Sequence, residues 1–157
     1  MALLEEQLYV KKSKIPGAGF GLFTKKIIAK GEAIVEYKGR LEKWSAVKEQ
    51  DGHNGYLLQV NRRWAINAEP YKKALGRFAN DALGLTRKSG LINNAEYILE
   101  GKRCFIHAKR HIQPGEEILV SYGRAYWNLI KRIRKGMNTK STIANFSLIF
   151  VITVCYM

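Results

Sequence analysis

The chain of 157 residues carries 27 Lys and Arg against 13 Asp and Glu, a formal net charge of +14. With 46% hydrophobic and 11% aromatic residues, it has the apolar material for one folded domain, which excludes a wholly disordered chain. Its two cysteines, Cys104 and Cys155, are too few for a disulfide framework or a four-thiolate zinc site, and the N-terminus shows no secretory pattern, so an intracellular, reduced protein is expected.

Residues 8–12 read as a short strand, followed by Ile15-Pro16-Gly17-Ala18-Gly19-Phe20-Gly21-Leu22-Phe23, where three glycines alternate with other residues as loop chemistry joins strand chemistry. Residues 27–28 and 33–37 predict two short strands around the Lys30-Gly31-Glu32 turn. Residues 42–49 predict a brief helix, stopped by Asp51-Gly52-His53-Asn54-Gly55. Residues 56–60 and 64–67 flank Asn61-Arg62-Arg63 as a hairpin. Residues 72–78 are weakly helical, whereas residues 80–94 are polar, contain glycine and show no period. Long irregular segments in compact domains are often functional. Residues 104–108 alternate as a strand, Gln113-Pro114-Gly115-Glu116 is a turn, and residues 118–122 form a further apolar strand. Residues 126–134 place Trp127, Ile130 and Ile133 at helical spacing with basic residues between them.

The positive charge is also local. Residues 124–140 hold Arg124, Lys131, Arg132, Arg134, Lys135 and Lys140 with no acid. A solvated basic face and a contact with nucleic acid or anionic membrane are both open readings. Residues 141–157 carry no charge and end in a β-branched apolar run. That run is short of the roughly 20 residues of a membrane span, so a membrane is not the expected partner. An anchor, a strand and a non-native extension of the reading frame all remain open for it. The three histidines, His53, His107 and His111, are scattered, and no metal is expected.

Gly17-Ala18-Gly19-Phe20-Gly21 lacks the G-x-G-x-x-G spacing and following helix of a dinucleotide fold. Alternate glycines still let a ligand approach the backbone, although on their own a plain glycine-rich turn is the better explanation. Read with three later segments, the pattern is more specific. Gly19-Phe20-Gly21, Tyr37-Lys38-Gly39, Arg77-Phe78-Ala79-Asn80-Asp81 and Gly115-Glu116-Glu117-Ile118-Leu119-Val120-Ser121-Tyr122-Gly123 resemble, in this order, the signatures of SET-domain protein-lysine methyltransferases. The resemblance covers residues 11–127, in a minimal form without cysteine-rich zinc-binding flanks.

The resemblance implies a mainly β fold with short helices, made of several small sheets, whose C-terminal strand passes under a preceding loop as a pseudoknot. It divides the chain into a SET catalytic domain at 8–127, a basic helical extension at 128–140 and the apolar tail at 141–157. It also implies S-adenosylmethionine as cofactor, entering from the face opposite the substrate lysine. Carried over, Gly19, Phe20 and Gly21 lie against the methionine part of the cofactor. Arg77, Phe78, Asn80 and the Asp81 backbone belong to its binding segment, and Trp127 stacks on adenine. Tyr122 stands beside the transferred methyl group, with Tyr37 and Tyr97 in the lysine channel. Two departures stand out. Asn80-Asp81-Ala82 replaces the family's Asn-His-Ser, which puts a carboxylate beside the cofactor, and Ile66-Asn67 replaces a common Ile-Asp pair.

The chemistry implied is in-line methyl transfer to a neutral lysine amine. The leading expectation is an enzyme acting on a histone tail, hence in the nucleus or on chromatin. The alternatives are a methyltransferase for a non-histone protein such as a ribosomal one, hence cytoplasmic, and a SET-fold binding module that has lost turnover. A basic tail meets long-range repulsion from this chain unless Glu96, Glu100, Glu116 and Glu117 line the groove or nucleic acid bound through residues 124–140 mediates the encounter.

Overall fold

The computed structural model describes residues 3–138 and 152–153. Among them, β1 (Leu8–Lys12) and β2 (Phe20–Thr24) form an antiparallel ribbon. A second sheet has the order β3 (Ala33–Glu36), β8 (Arg103–Ala108), β7 (Ala95–Glu100), and a third joins β4 (Arg40–Lys43), β6 (Trp64–Asn67), β5 (Leu57–Gln59) and the two-residue β9 (Ile152–Thr153). Two α-helices complete the regular structure, α1 (Trp44–Val47) and α2 (Arg124–Asn138), with short 3-10 turns at Glu5–Gln7, Lys48–Gln50 and Leu75–Phe78. The many small sheets expected are present.

Local chemistry accounts for most of these elements. In β2 and β3 the apolar residues Leu22, Phe23, Ile34 and Val35 are fully buried. The β5–β6 hairpin forms because Asn61 Oδ1 accepts the Arg63 and Trp64 N–H groups and closes the turn. In α2, Tyr126, Trp127 and Ile130 face the core while Lys131, Arg132 and Lys135 face water, an amphipathic pattern at the helical period. Lys135 sits in the last turn, where a cation favours the helix dipole.

Several sequence expectations are corrected. The helix expected over 42–49 begins only at Trp44, because Glu42 and Lys43 pair with Ala65 and Trp64 in β4. Residues 27–28 form no strand with residues 33–37. Ile28 instead makes a lone bridge with Ile112, and β3 pairs with β8. The strand β7 had no sequence expectation at all. The helix over 72–78 is a single 3-10 turn at Leu75–Phe78. Of the tail, Ile152–Thr153 pairs in parallel with Leu58 and Gln59 of β5, and the rest lies outside the described residues.

Residues 118–122 are extended but join no ladder. The Ile118 N–H donates to the Leu22 carbonyl (2.7 Å), and the Thr24 N–H donates to the Glu116 carbonyl (3.4 Å). On the other side the Val120 N–H donates to the Asn80 carbonyl (2.8 Å), and the Leu119 carbonyl accepts the Asn94 and Ala95 N–H groups (3.0 and 2.9 Å). Asn94 closes the crossing with its side chain. Its Nδ2–H donates to the Glu117 carbonyl (2.8 Å) and its Oδ1 accepts the Leu119 N–H (2.9 Å). Both ends of the irregular 80–94 loop are therefore bonded to this segment, which gives the crossing of strand and loop that the pseudoknot required. The segment carries Ile118, Leu119 and Val120, all buried, into the core.

Asn94→Ala strands one donor and one acceptor in this interior, and a buried unsatisfied group costs about 1–3 kcal/mol. The expected loss is about 3 kcal/mol, seen as a melting temperature lower by about 10 °C in circular dichroism.

Candidate active site

Three tyrosines from separate elements converge. Tyr37 directly follows β3, where its N–H donates to the Cys104 carbonyl (2.8 Å). Gly39 permits this bend because a Cβ there would lie 2.6 Å from the Asn67 carbonyl oxygen. Tyr97 lies in β7, its ring edge-on to Tyr37 with centroids 6.0 Å apart. Tyr122 ends the threaded segment, and its hydroxyl donates to the Ala79 carbonyl (2.9 Å). The hydroxyls of Tyr37 and Tyr97 are buried with no hydrogen-bond partner among the described residues. Burial holds all three phenols above their ordinary pKa, opposed at Tyr37 by the Arg77 charge and reinforced at Tyr97 and Tyr122 by neighbouring tyrosines. They are protonated through the physiological range. Two buried hydroxyls without partners are costly.

A cavity of about 150 Å³ lies beside Tyr122, lined by Gly17, Ala18, Asn80, Leu85, Trp127 and Arg134 among others. Both N–H groups of the Asn80 amide point inward, to the Phe20 carbonyl (2.9 Å) and to Glu117 Oε1 (3.2 Å), leaving Oδ1 as an acceptor. The Glu117 carboxylate is buried and anchors the glycine loop, accepting from Ser13 Oγ–H (2.6 Å) and the Lys14 N–H (2.8 Å). This explains Gly21. A Cβ there would stand 2.8 Å from the carboxyl carbon of Glu117. Gly19 has φ +72° with open space beside it, a conformation that other residues adopt at a cost. A second, more open depression of about 590 Å³ adjoins the first across Trp127, and Arg87, Arg124 and Lys131 line it.

The residues singled out from sequence are placed unequally. Asn80, Asp81, Trp127 and Tyr122 border the smaller cavity, with Tyr37 and Tyr97 packed behind Tyr122. Its glycine-loop wall is Gly17 and Ala18 rather than Gly19 to Gly21, and Phe20 is 63% exposed. Arg77 and Phe78 do not line it. The Arg77 guanidinium lies 3.6 Å over the Tyr56 ring and donates to the Glu69 carbonyl (3.2 Å), while Phe78 packs on the core. The Trp127 ring is stacked on Tyr122 (5.8 Å, 14°) with its Nε1–H donated to Asp81. The expected acidic groove is reduced to Glu96 and Glu100 on β7. Glu117 is buried in the glycine loop, and Glu116 pairs with Arg110 (2.8 Å), which lowers its pKa. Arg134 escaped the motif reading. It stands seven residues after Trp127, two turns along the same helical face, and that spacing was the available signal.

A SET domain family model matches residues 19–123. The chain belongs to the SET-domain family. Among curated proteins it is 30% identical over 120 residues to N-lysine methyltransferase KMT5A-A of Danio rerio, a match covering 69% of this chain and 33% of that one. It is 29% identical over 132 residues to histone-lysine N-methyltransferase set-1 of Caenorhabditis elegans, covering 76% and 51%. It is 32% identical over 129 residues to the variant-silencing SET domain-containing protein of Plasmodium falciparum, covering 74% and 5%. The chain thus spans about half or less of the length of these relatives. In fold it resembles a chain in a crystal structure of an active polycomb repressive complex 2 in the basal state, with TM-score 0.58 and 24% identity over 74% of this chain and 15% of that one.

The SET glycine loop makes a test. Gly21→Ala forces a methyl group into the Glu117 carboxylate, and overpacking of this kind costs about 1–3 kcal/mol. The expected result is a melting temperature lower by about 5 °C.

Proposed function

We propose that this SET domain is an S-adenosylmethionine-dependent protein-lysine N-methyltransferase acting on a histone tail. The observation that carries the reading is the pair of buried, unpartnered hydroxyls of Tyr37 and Tyr97 behind Tyr122. The cavity at Gly17, Ala18 and Asn80 fits the cofactor's amino-acid end, because Asn80 Oδ1 is an acceptor for an ammonium group and the glycine-rich wall admits close approach. The cofactor supplies an electrophilic methyl group. Everything else asked of the chain is alignment and a neutral amine.

A lysine of pKa about 10.4 is mostly charged at pH 7, and neutralising it costs roughly 4–5 kcal/mol. A channel walled by buried phenyl rings disfavours the ammonium by desolvation. The phenol hydroxyls of Tyr37 and Tyr97 stay protonated and orient the amine without acting as bases. Tyr122, held by Ala79, fixes the far wall. The feature that favoured a non-catalytic binding module was the Asp81 carboxylate beside the cofactor. That group accepts four N–H donors of the chain itself, so it does not argue for a lost site. In the enzyme reading kcat/KM rises with pH up to about pH 10 as the free substrate lysine loses its proton, with no descending limb in that range, because burial raises the pKa of all three tyrosines. The measurement is transfer of labelled methyl groups to histones and to whole-cell protein. Label on histones that Tyr122→Phe lowers by about a hundredfold supports the proposal. Label only on another protein assigns a non-histone substrate and a cytoplasmic setting, and no label with no cofactor binding assigns the binding module.

Charge favours nucleic acid as a second partner, on which a basic histone tail and this basic domain can both assemble. Arg87 of the 80–94 loop and Arg124 and Lys131 of α2 line one depression, and none of them forms an ion pair among the described residues. No helix among the described residues is long and apolar enough to cross a membrane. Binding to duplex DNA should weaken steeply with salt, the logarithmic slope being about −0.9 per phosphate neutralised. Lys131→Ala should reduce that slope by about one, and a flat response in anisotropy titrations would remove the idea.

A further inference from the structure

Asp81 stands where the resemblance places a histidine, and its side chain is almost wholly buried, with the residue 4% exposed. Every lone-pair direction it offers is used. Oδ2 accepts the Tyr122 N–H (2.7 Å) and the Trp127 indole Nε1–H (2.8 Å), while Oδ1 accepts the Leu83 N–H and the Asn93 Nδ2–H (both 2.8 Å). A neutral imidazole has one acceptor nitrogen, so no histidine gathers four donors in this way. The carboxylate joins the threaded segment, helix α2 and both limbs of the 80–94 loop at one atom pair, across 41 and 46 residues of sequence for its Oδ2 partners.

The consequence lies at the cofactor cavity. Trp127 and Arg134, both on α2, and Leu85 and Thr86 of the loop form much of its lining. Trp127 is stacked on Tyr122, with rings 14° from parallel, and the indole N–H bond fixes the ring's rotation within that stack. Gly84 completes the fit, since a Cβ there would stand 2.9 Å from the Trp127 ring.

We propose that Asp81 is a positioning residue that clasps helix α2 against the domain, holding the Trp127 wall of the cofactor cavity and the Tyr122 backbone in one register. This rests on the methyltransferase reading for what fills the cavity, but the clasp itself is a property of the free protein. An amide cannot replace it. In Asp81→Asn, either orientation turns an NH₂ group toward two N–H donors.

The test uses the full chain, nitrogen-15 labelled, with S-adenosylhomocysteine as probe. The Trp127 indole cross-peak, assigned by its absence in Trp127→Phe, should exchange slowly with solvent in the parent protein and at least tenfold faster in Asp81→Asn. A freely exchanging indole in the parent overturns the clasp whatever the cofactor does. In calorimetry the dissociation constant for S-adenosylhomocysteine should rise about tenfold in Asp81→Asn and severalfold in Trp127→Phe, with the double variant no worse than Asp81→Asn. With a labelled peptide, KM for the methyl donor should rise and KM for the peptide stay constant. Strictly additive losses, or equal rises in both KM values, overturn the proposal. If Asp81→Asn does not fold, Trp127→Phe decides, because it removes the indole donor along with part of the ring: an unchanged dissociation constant overturns the clasp. If the parent protein binds no S-adenosylhomocysteine, the methyltransferase reading fails, and the indole exchange still decides the clasp.

Discussion

The domain depends on one extended segment, residues 116–122, held without a ladder of its own. Its polar backbone is satisfied piecemeal, by β2 on one side and by both ends of the 80–94 loop on the other. Buried backbone groups must find partners, and here the partners come from three regions far apart in sequence. The payoff is position: the segment buries Ile118, Leu119 and Val120 and delivers Tyr122 to a fixed point. Pieces of chain that pack poorly alone, two-stranded ribbons and single turns, become one core because this strand passes through them all.

The same strand explains why the site is polar at one end and aromatic at the other. Glu117, near its start, reaches back to Ser13, Lys14 and Asn80 and shapes the glycine loop. Tyr122, at its end, meets Tyr126 and Trp127 of α2 in a ring cluster. Five residues of extended chain span roughly 17 Å, enough to set a carboxylate-anchored loop and an aromatic cluster at opposite ends of one rigid rod.

Local structure was legible where local chemistry decides it. The β5–β6 hairpin follows from Asn61 and its turn, and α2 from the spacing of Trp127 and Ile130. The strand β7 was not, because Tyr97, Ile98 and Leu99 run together and hide the alternation of exposed Glu96 and Glu100. Residues 118–122 read as an ordinary strand because composition reports burial and not the identity of the hydrogen-bond partner. In the fold, Tyr37, Tyr97 and Tyr122 come together as the resemblance implies, whereas Arg77 and Phe78 do not line the cavity. At Gly21 the fold adds a constraint that the motif does not show, the Glu117 carboxylate against its Cα.

Asp81 shows the limit most clearly. In sequence it is a lost histidine and a charge in an awkward place. In the fold it is the acceptor for four donors, two of them more than forty residues away. Desolvating a carboxylate is expensive unless hydrogen bonds replace the lost water, and the number of donors gathered shows how the cost is offset. A motif position can therefore change residue type and stay tied into the fold, provided that the surrounding segments supply the complementary groups. Here Trp127 and Asn93 supply them, so the unit to compare between relatives is the donor set around position 81, and not the residue at that position alone.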